Sequence, residues 1–234
     1  MNTLMNLQHR CKTVIKSVLV SDETKAIRIK AGHAKGIVML LNRRHALQIE
    51  FGLYESELQP VYSRHINSDS IVYDVGAASG DTTLMFAKLA SRGVVYAFEP
   101  NKESVENLRK NMQLNPGIER RVNIFESFVG NNGDCVSLDH LVELGQIQMP
   151  TFVKIDVDGF EIEVLESATN ILKNQGIVVL VETHSIKLEE ESLLLLESLG
   201  YTTTIIPNAR WRKFYPEYRP IEHNRWLVAI KSPQ

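Results

Sequence analysis

The sequence is poor in cysteine and proline, nearly neutral in net charge, and without a long apolar run. Its 234 residues include two cysteines, Cys11 and Cys135, and eight prolines. Two cysteines make no disulfide framework, so the expected compartment is a reducing cytoplasm. A formal net charge of -2 gives no general pull toward nucleic acid or an anionic membrane. No stretch approaches the roughly 20 apolar residues of a membrane span. Residues 1–20 also lack the uninterrupted apolar core of a signal peptide. Internal repeats and low-complexity segments are missing as well. What remains is an ordinary globular composition, 44% hydrophobic and 23% charged, long enough for one domain with a real core.

Leu4, Leu7, Cys11, Val14, Ile15, Val18 and Leu19 recur at helical spacing, with Arg10, Lys12 and Lys16 between them. This predicts a helix packed on the domain or on a second subunit, a possible homodimer contact; its basic face is thin for a membrane surface. Ala26–Ala31 and Ile37–Leu41 read as short strands, and Ala46–Phe51 as a third. Glu55–His65 reads as helical, with Pro60 in its first turns or at a kink.

From Ile71 the rhythm becomes strand, helix, strand, helix. Strands are expected at Ile71–Val75, Val94–Phe98, Val122–Glu126, Phe152–Val157 and Ile177–Glu182. Helices are expected at Thr82–Ala90, Lys102–Asn115, Leu138–Glu143 and Glu161–Lys173, the third capped by Ser137 and closed by Gly145. Nearly continuous apolar strands alternating with helices predict an α/β fold, a parallel sheet covered on both faces. The end departs from this. A helix over Leu188–Leu199 leads to two strands, Tyr201–Ile206 and Trp226–Ile230, with no helix between them.

The stretch "VYDVGAASGDTTLMFAKL" carries the first chemical signal. Asp74 interrupts an apolar strand, and Gly76, Ala77, Ala78, Ser79 and Gly80 form a bend of small residues before a helix. Small residues admit close backbone approach, and a helix start offers unpaired N–H groups to an anion. The second strand ends at Glu99, followed by Pro100, about 20 residues further on, where an acid holding a ribose diol belongs. Together they predict a nucleoside site. Ala78 breaks the G-x-G-x-x-G fingerprint of a dinucleotide. Asp74 inside the strand suits S-adenosylmethionine better, because it can organise the loop that holds the methionine amino group. Glu126, Ser127 and Phe128 end the third strand, where adenine should lie. Phe128 either covers the base or packs in the core.

"VYDVGAASGDTT", "VVYAFEPNKESVENLRKNMQLN", "FVKIDVDGFEIEVLESA" and "VLVETHS" resemble segments of the FkbM-type S-adenosylmethionine-dependent methyltransferases. "GLYESEL" and "HNRWLVA" resemble segments flanking that domain. The resemblance implies a Rossmann-like seven-stranded methyltransferase sheet of order 3-2-1-4-5-7-6, its last strand antiparallel. Residues 1–66 would then be a small N-terminal extension and 67–234 the cofactor-binding domain. The resemblance also implies S-adenosylmethionine as cofactor and a hydroxyl of a sugar, or of a glycosylated or polyketide natural product, as acceptor. The stretch from Phe128 to Cys135 is shorter than in the family, so no acceptor contact is carried over to it. Other readings are N-methylation of a small molecule, a non-catalytic S-adenosylmethionine-binding protein, and a nicotinamide oxidoreductase, which Ala78 and the C-terminal strand pair disfavour.

Methyl transfer to a hydroxyl needs collinear positioning and a base or a metal. "KIDVDGFE" ends the fourth strand at the same sheet edge as Gly76. Alternation places Lys154, Asp156 and Asp158 on one face. A Lys154 ion pair with Asp156 or Asp158, with Glu161 favouring a helix dipole, is the bland reading; a catalytic or cofactor role for Asp156 is the sharper one. Glu182 and His184 end the neighbouring strand, and His184 is the candidate base. Asp156, Glu182 and His184 would also make an oxygen- and nitrogen-rich metal set. Strand ends collect carboxylates for other reasons, and no metal is assigned. Arg210, Trp211, Arg212, Lys213, Phe214, Tyr215, Tyr218 and Arg219 form a basic-aromatic cluster suited to stacking on a sugar, to a solvated loop or to a dimer contact. The near-neutral charge argues against nucleic acid as its partner.

Overall fold

The computed structural model describes residues 23–209 and 223–231. The helix expected over residues 1–20 and the basic-aromatic cluster at 210–219 lie outside the described residues. Strands β1 (Thr24–Arg28) and β2 (Val38–Asn42) form an antiparallel pair. They are followed by helices α1 (Arg43–Glu50) and α2 (Gln59–His65). Then come β3 (Ile71–Val75), α3 (Asp81–Leu89), β4 (Val94–Phe98), α4 (Lys102–Gln113) and β5 (Val122–Phe125). The chain continues through α5 (Leu138–Glu143), β6 (Phe152–Ile155), α6 (Glu161–Glu166), α7 (Thr169–Leu172) and β7 (Val178–Thr183). It closes with α8 (Ile186–Ser198), β8 (Thr202–Ile206) and β9 (Arg225–Ile230).

The seven-stranded sheet has the order β5-β4-β3-β6-β7-β9-β8. Counted from β3, that is the 3-2-1-4-5-7-6 order implied by the resemblance. β9 runs antiparallel to both neighbours, and the other pairs are parallel. Among the described residues, no helix is long and apolar enough to cross a membrane.

Three local expectations are corrected. Residues 46–50 are helical rather than extended. Asn42 caps α1 by accepting the Arg44 N–H at 3.0 Å. Arg43 and Glu50, two helical turns apart, then meet in a two-pronged ion pair at 2.8 and 3.0 Å. The helix expected over 161–173 is broken by non-helical backbone at Ala168 (φ -116°, ψ 12°). Ser137 does not cap α5 through its side chain; its hydroxyl donates to the Ser167 carbonyl at 3.1 Å. Gly145 does close α5 with φ of 68°, and Pro60 does sit in the first turn of α2.

Each sheet face packs its own core. Val72, Phe86, Phe152, Leu180 and Trp226 on one face share a buried cluster with Ile29, Met39, Leu58 and Tyr62 of the N-terminal segment. Tyr73, Val75, Phe98, Ile155, Leu165 and Val179 form the cluster on the other. The N-terminal hairpin is also fastened by hydrogen bonds. Asn111 Oδ1 accepts the Leu40 N–H at 2.7 Å, and Asn115 Oδ1 accepts the Val38 N–H at 2.9 Å. Four residues of helix advance about 6 Å, close to the roughly 6.8 Å of two strand residues, so asparagines four apart can stand in for a neighbouring strand.

Candidate active site

The bend after β3 continues the sheet before it turns. The N–H groups of Gly76 and Ala77 both donate to the Phe98 carbonyl, at 2.9 and 3.0 Å. Gly76, Ala78 and Gly80 all have positive φ, at 87°, 45° and 88°. The N–H groups of the bend are mostly engaged within the protein: besides those of Gly76 and Ala77, Ala78 donates to Glu99 at 2.8 Å and Gly80 to the Ala77 carbonyl at 2.9 Å. Gly80 caps α3 without any side-chain hydrogen bond, and Asp81 places an acid in the first turn, where the helix dipole favours it.

Protein atoms already explain why residues 76 and 80 are glycine. A Cβ on Gly76 would stand 1.8 Å from the Asp156 carbonyl oxygen, and one on Gly80 would stand 2.2 Å from Leu108 Cδ1. Small residues there are expected to leave space for a ligand. That space is filled by Asp156, just after β6, and by Leu108 of α4, and the consequence is that the bend lies directly against Asp156.

Two carboxylates shape the bend. Asp74 is fully buried and accepts the hydroxyls of Thr82 (3.1 Å) and Thr83 (2.6 Å), tying the first turn of α3 to the strand. Burial raises its pKa, against the opposing pull of Lys154. Glu99 accepts the Ala78 N–H through Oε2 and the Asn101 N–H through Oε1, both at 2.8 Å. Each carboxylate oxygen has two lone-pair sites, so each keeps one with which to accept a further hydrogen bond. Asn111 donates to the Ser79 carbonyl at 2.9 Å, linking the bend to α4 and, through its other end, to β2. Pro100 follows Glu99 and precedes α4.

At the ends of β6 and β7 the charges converge. Asp74 and Lys154 are register neighbours, so they share a sheet face. Two residues on, Asp156 stands over the same face. Lys154 is buried and bonds Asp156 Oδ2 at 2.8 Å, with its ammonium 5.3 Å from the centre of the Trp226 ring. Burial raises the Asp156 carboxyl, but the Lys154 ammonium, the Glu182 hydrogen bond and His184 together outweigh it and hold the group low. Burial and the charge of Asp156 push Glu182 well above the carboxylate range.

His184 is held by Glu161, whose Oε1 lies 2.5 Å from Nδ1. Its Nε2 then faces Asp158 Oδ1 at 3.5 Å, Glu182 Oε2 at 3.8 Å and Asp156 Oδ1 at 4.0 Å. Burial would lower the His184 pKa; the hydrogen bond and charge of Glu161, with the charges of Asp156 and Asp158, together outweigh it and raise it.

The sequence-named residues thus fall into two adjoining groups. Asp74, Gly76, Ala77, Ser79, Gly80 and Glu99 make the bend, and Lys154, Asp156, Glu182 and His184 make the charged cluster. Asp158 lies past the end of β6 and is exposed, so alternation places it less well than its neighbours. Ser127 and Phe128 follow β5; Phe128 is 58% exposed and lies beside the exposed Phe160, with ring centres 6.5 Å apart, so it is not a core residue.

Sequence reasoning missed two members of the cluster. Glu161 was read as a dipole partner, yet it is fully buried and fixes the histidine. Glu55 arrives from the N-terminal segment. It is buried in left-handed backbone (φ 46°), accepts the Tyr62 hydroxyl at 3.3 Å, and is raised in pKa by burial against the pull of Lys154. A signal did exist, since Glu55 lies in "GLYESEL", a segment noted only for its resemblance.

The family model of the methyltransferase FkbM domain matches residues 74–134 and 127–203. A hexuronic acid methyltransferase of Haloferax volcanii is 31% identical over 140 residues, covering 50% of this chain and 57% of that protein. The chain therefore spans a little over half the length of that curated relative. An FkbM methyltransferase of Methylobacillus flagellatus superposes with a TM-score of 0.51 at 16% identity, over 70% of this chain and 44% of that one. An S-adenosylmethionine-dependent O-methyltransferase of Thermotoga maritima superposes with a TM-score of 0.54 at 17% identity, over 77% and 66% of the two chains. At such identities these two structures speak to the fold alone.

Proposed function

Because the chain belongs to the FkbM methyltransferase family, we propose that it transfers a methyl group from S-adenosylmethionine to an oxygen of a sugar, with a uronic acid or glycosylated natural product as the acceptor class. The observation that carries this reading is the contact between the two halves of the site: Gly76 lies directly against the Asp156 carbonyl. A cofactor in the bend would meet an acceptor at the cluster. The relative that acts on a hexuronic acid supports a sugar as acceptor.

The residues present fit the cofactor. Glu99 keeps one lone-pair site on each oxygen for the ribose hydroxyls. We assign the adenine to the side of Ser127 and the exposed Phe128, which follow β5. Asp156, kept ionised by Lys154, suits an ammonium group. When bound, S-adenosylmethionine supplies a methyl group activated by sulfonium charge. The acceptor oxygen must gain nucleophilicity as the bond forms, by giving its proton to a base or by leaning on a cation. His184 Nε2, surrounded by Asp156, Asp158 and Glu182, is the place for either.

Ligand-dependent thermal unfolding tests the cofactor half. S-adenosylmethionine and S-adenosylhomocysteine at 100 times their dissociation constants should each stabilise the chain by about 2.7 kcal/mol. NAD should leave the transition in place. Stabilisation by NAD alone would overturn the reading.

A further inference from the structure

The geometry points to a divalent-cation site of the magnesium or manganese class formed by Asp156, Glu182 and His184, its open coordination positions facing the acceptor. The three side chains each offer one ligand atom, and these atoms lie within 4.8 Å of one another. His184 Nε2 stands 4.0 Å from Asp156 Oδ1 and 3.8 Å from Glu182 Oε2. Those distances are too long for hydrogen bonds. Two ligands about 2.1 Å from one ion stand roughly 3 to 4.2 Å apart, so a shift of some tenths of an ångström would close the set.

A second observation is independent of that spacing. Glu161 is completely buried, and its Oε1 grips His184 Nδ1 at 2.5 Å while its Oε2 has no hydrogen-bond partner. A carboxylate on one ring nitrogen is how metal-bound histidines are held, with the other nitrogen turned to the ion. Here the other nitrogen is turned toward carboxylate oxygens. Glu182 has its side chain nine-tenths buried, with Oε2 3.8 Å from His184 Nε2 and a hydrogen bond shared with Asp156. Lys154 is engaged at 2.8 Å with Asp156 Oδ2, the oxygen that does not face the histidine. A divalent cation would take the place of the proton that Asp156 and Glu182 now share and would offset the repulsion between two buried carboxylates.

Two carboxylates and one imidazole suit a hard divalent ion, and three protein ligands leave positions open for acceptor oxygens. A cation there would also let an acidic pocket receive an anionic sugar. The inference rests on the proposed function only for what the open positions bind. It gives His184 the part of a ligand, and so not of the base.

Manganese titration of the metal-stripped full chain, followed by loss of the free-ion electron paramagnetic resonance signal, tests it. One ion per chain is expected, retained when S-adenosylhomocysteine is added. Glu182→Gln should weaken manganese at least tenfold, and Glu161→Gln, which alters only the group behind the histidine, by about 10- to 100-fold. Both variants should keep their circular dichroism spectra and S-adenosylhomocysteine affinity. Absence of manganese binding, equal affinity in Glu182→Gln, or expulsion of the ion by S-adenosylhomocysteine would overturn the inference. The cofactor titration separates the two ideas: S-adenosylhomocysteine binding without manganese leaves the proposed function standing, and manganese binding without S-adenosylhomocysteine removes it.

Discussion

Replacing Glu99 by alanine should damage cofactor binding and the bend together, in proportions set by the hydrogen bonds of its carboxylate. Two of its lone-pair sites hold the N–H groups of Ala78 and Asn101, each at 2.8 Å. Both are bonds to a carboxylate, so each lost bond should subtract about 1.5–3 kcal/mol, or about 3–6 kcal/mol in all, less what water returns at this rim once the side chain is gone. For a chain of this size that is roughly 2–4 °C of melting temperature per kcal/mol. The remaining sites face the ribose. A charge-assisted bond there is worth about 1.5–3 kcal/mol, a fall in S-adenosylmethionine affinity from about tenfold to more than a hundredfold. Calorimetric titration with S-adenosylmethionine and with 5′-methylthioadenosine, which keeps the ribose but lacks the amino acid, reads both. The two ligands should lose affinity by the same factor. Unchanged affinity in folded Glu99→Ala refutes the ribose assignment. A loss confined to S-adenosylmethionine would place Glu99 at the methionine end instead.

Asn111→Ala should leave the Leu40 N–H and Ser79 carbonyl without partners, for a loss of about 2–5 kcal/mol in urea unfolding, and should weaken the cofactor through the bend. A change below about 1 kcal/mol would mean that the hairpin is held by apolar packing alone. Gly76→Ala should be more severe than a left-handed alanine, about 1–2 kcal/mol, because its Cβ would fall 1.8 Å from the Asp156 carbonyl; a melting temperature within a few degrees of wild type would contradict that contact. Arg225, joined to Glu189 in a two-pronged ion pair, and then His223 hold the Glu189 carboxyl below its usual range. A depressed acid adds stability above its unfolded pKa, about 4.3, and loses it as pH falls through the folded value. Wild type should therefore lose stability on acidification below about pH 4.3 more steeply than Glu189→Gln. Parallel pH profiles would show that the pair contributes nothing.

What was legible in the sequence is what local pattern determines. The period-two and period-3.6 stretches from Ile71 onward located the strands of the main sheet to within a residue or two. The order of those strands came from resemblance, because no local pattern states which strand lies beside which. Asp74, Glu99, Asp156, Glu182 and His184 stood out because charges at the ends of apolar strands are rare. Glu161 and Glu55 did not, since their meaning lies in partners distant in sequence: Glu161 in His184, 23 residues on, and Glu55 in Lys154 and Tyr62. Residues 46–51 misled for a related reason. A short apolar run fits strand or helix, and the Asn42 cap and the Arg43–Glu50 pair decided it. The glycines were located correctly, but the atoms they make room for belong to the protein.

The central claim is tested most directly by following a labelled methyl group. The full chain is incubated with methyl-labelled S-adenosylmethionine, a divalent cation and a panel of uronic acids, neutral sugars and amino sugars, and the products are read by mass spectrometry. The account predicts label on an oxygen of a sugar, one methyl for each S-adenosylhomocysteine formed, with Glu99→Ala much reduced at low S-adenosylmethionine. Label recovered on the nitrogen of an amino sugar and on no oxygen would contradict it.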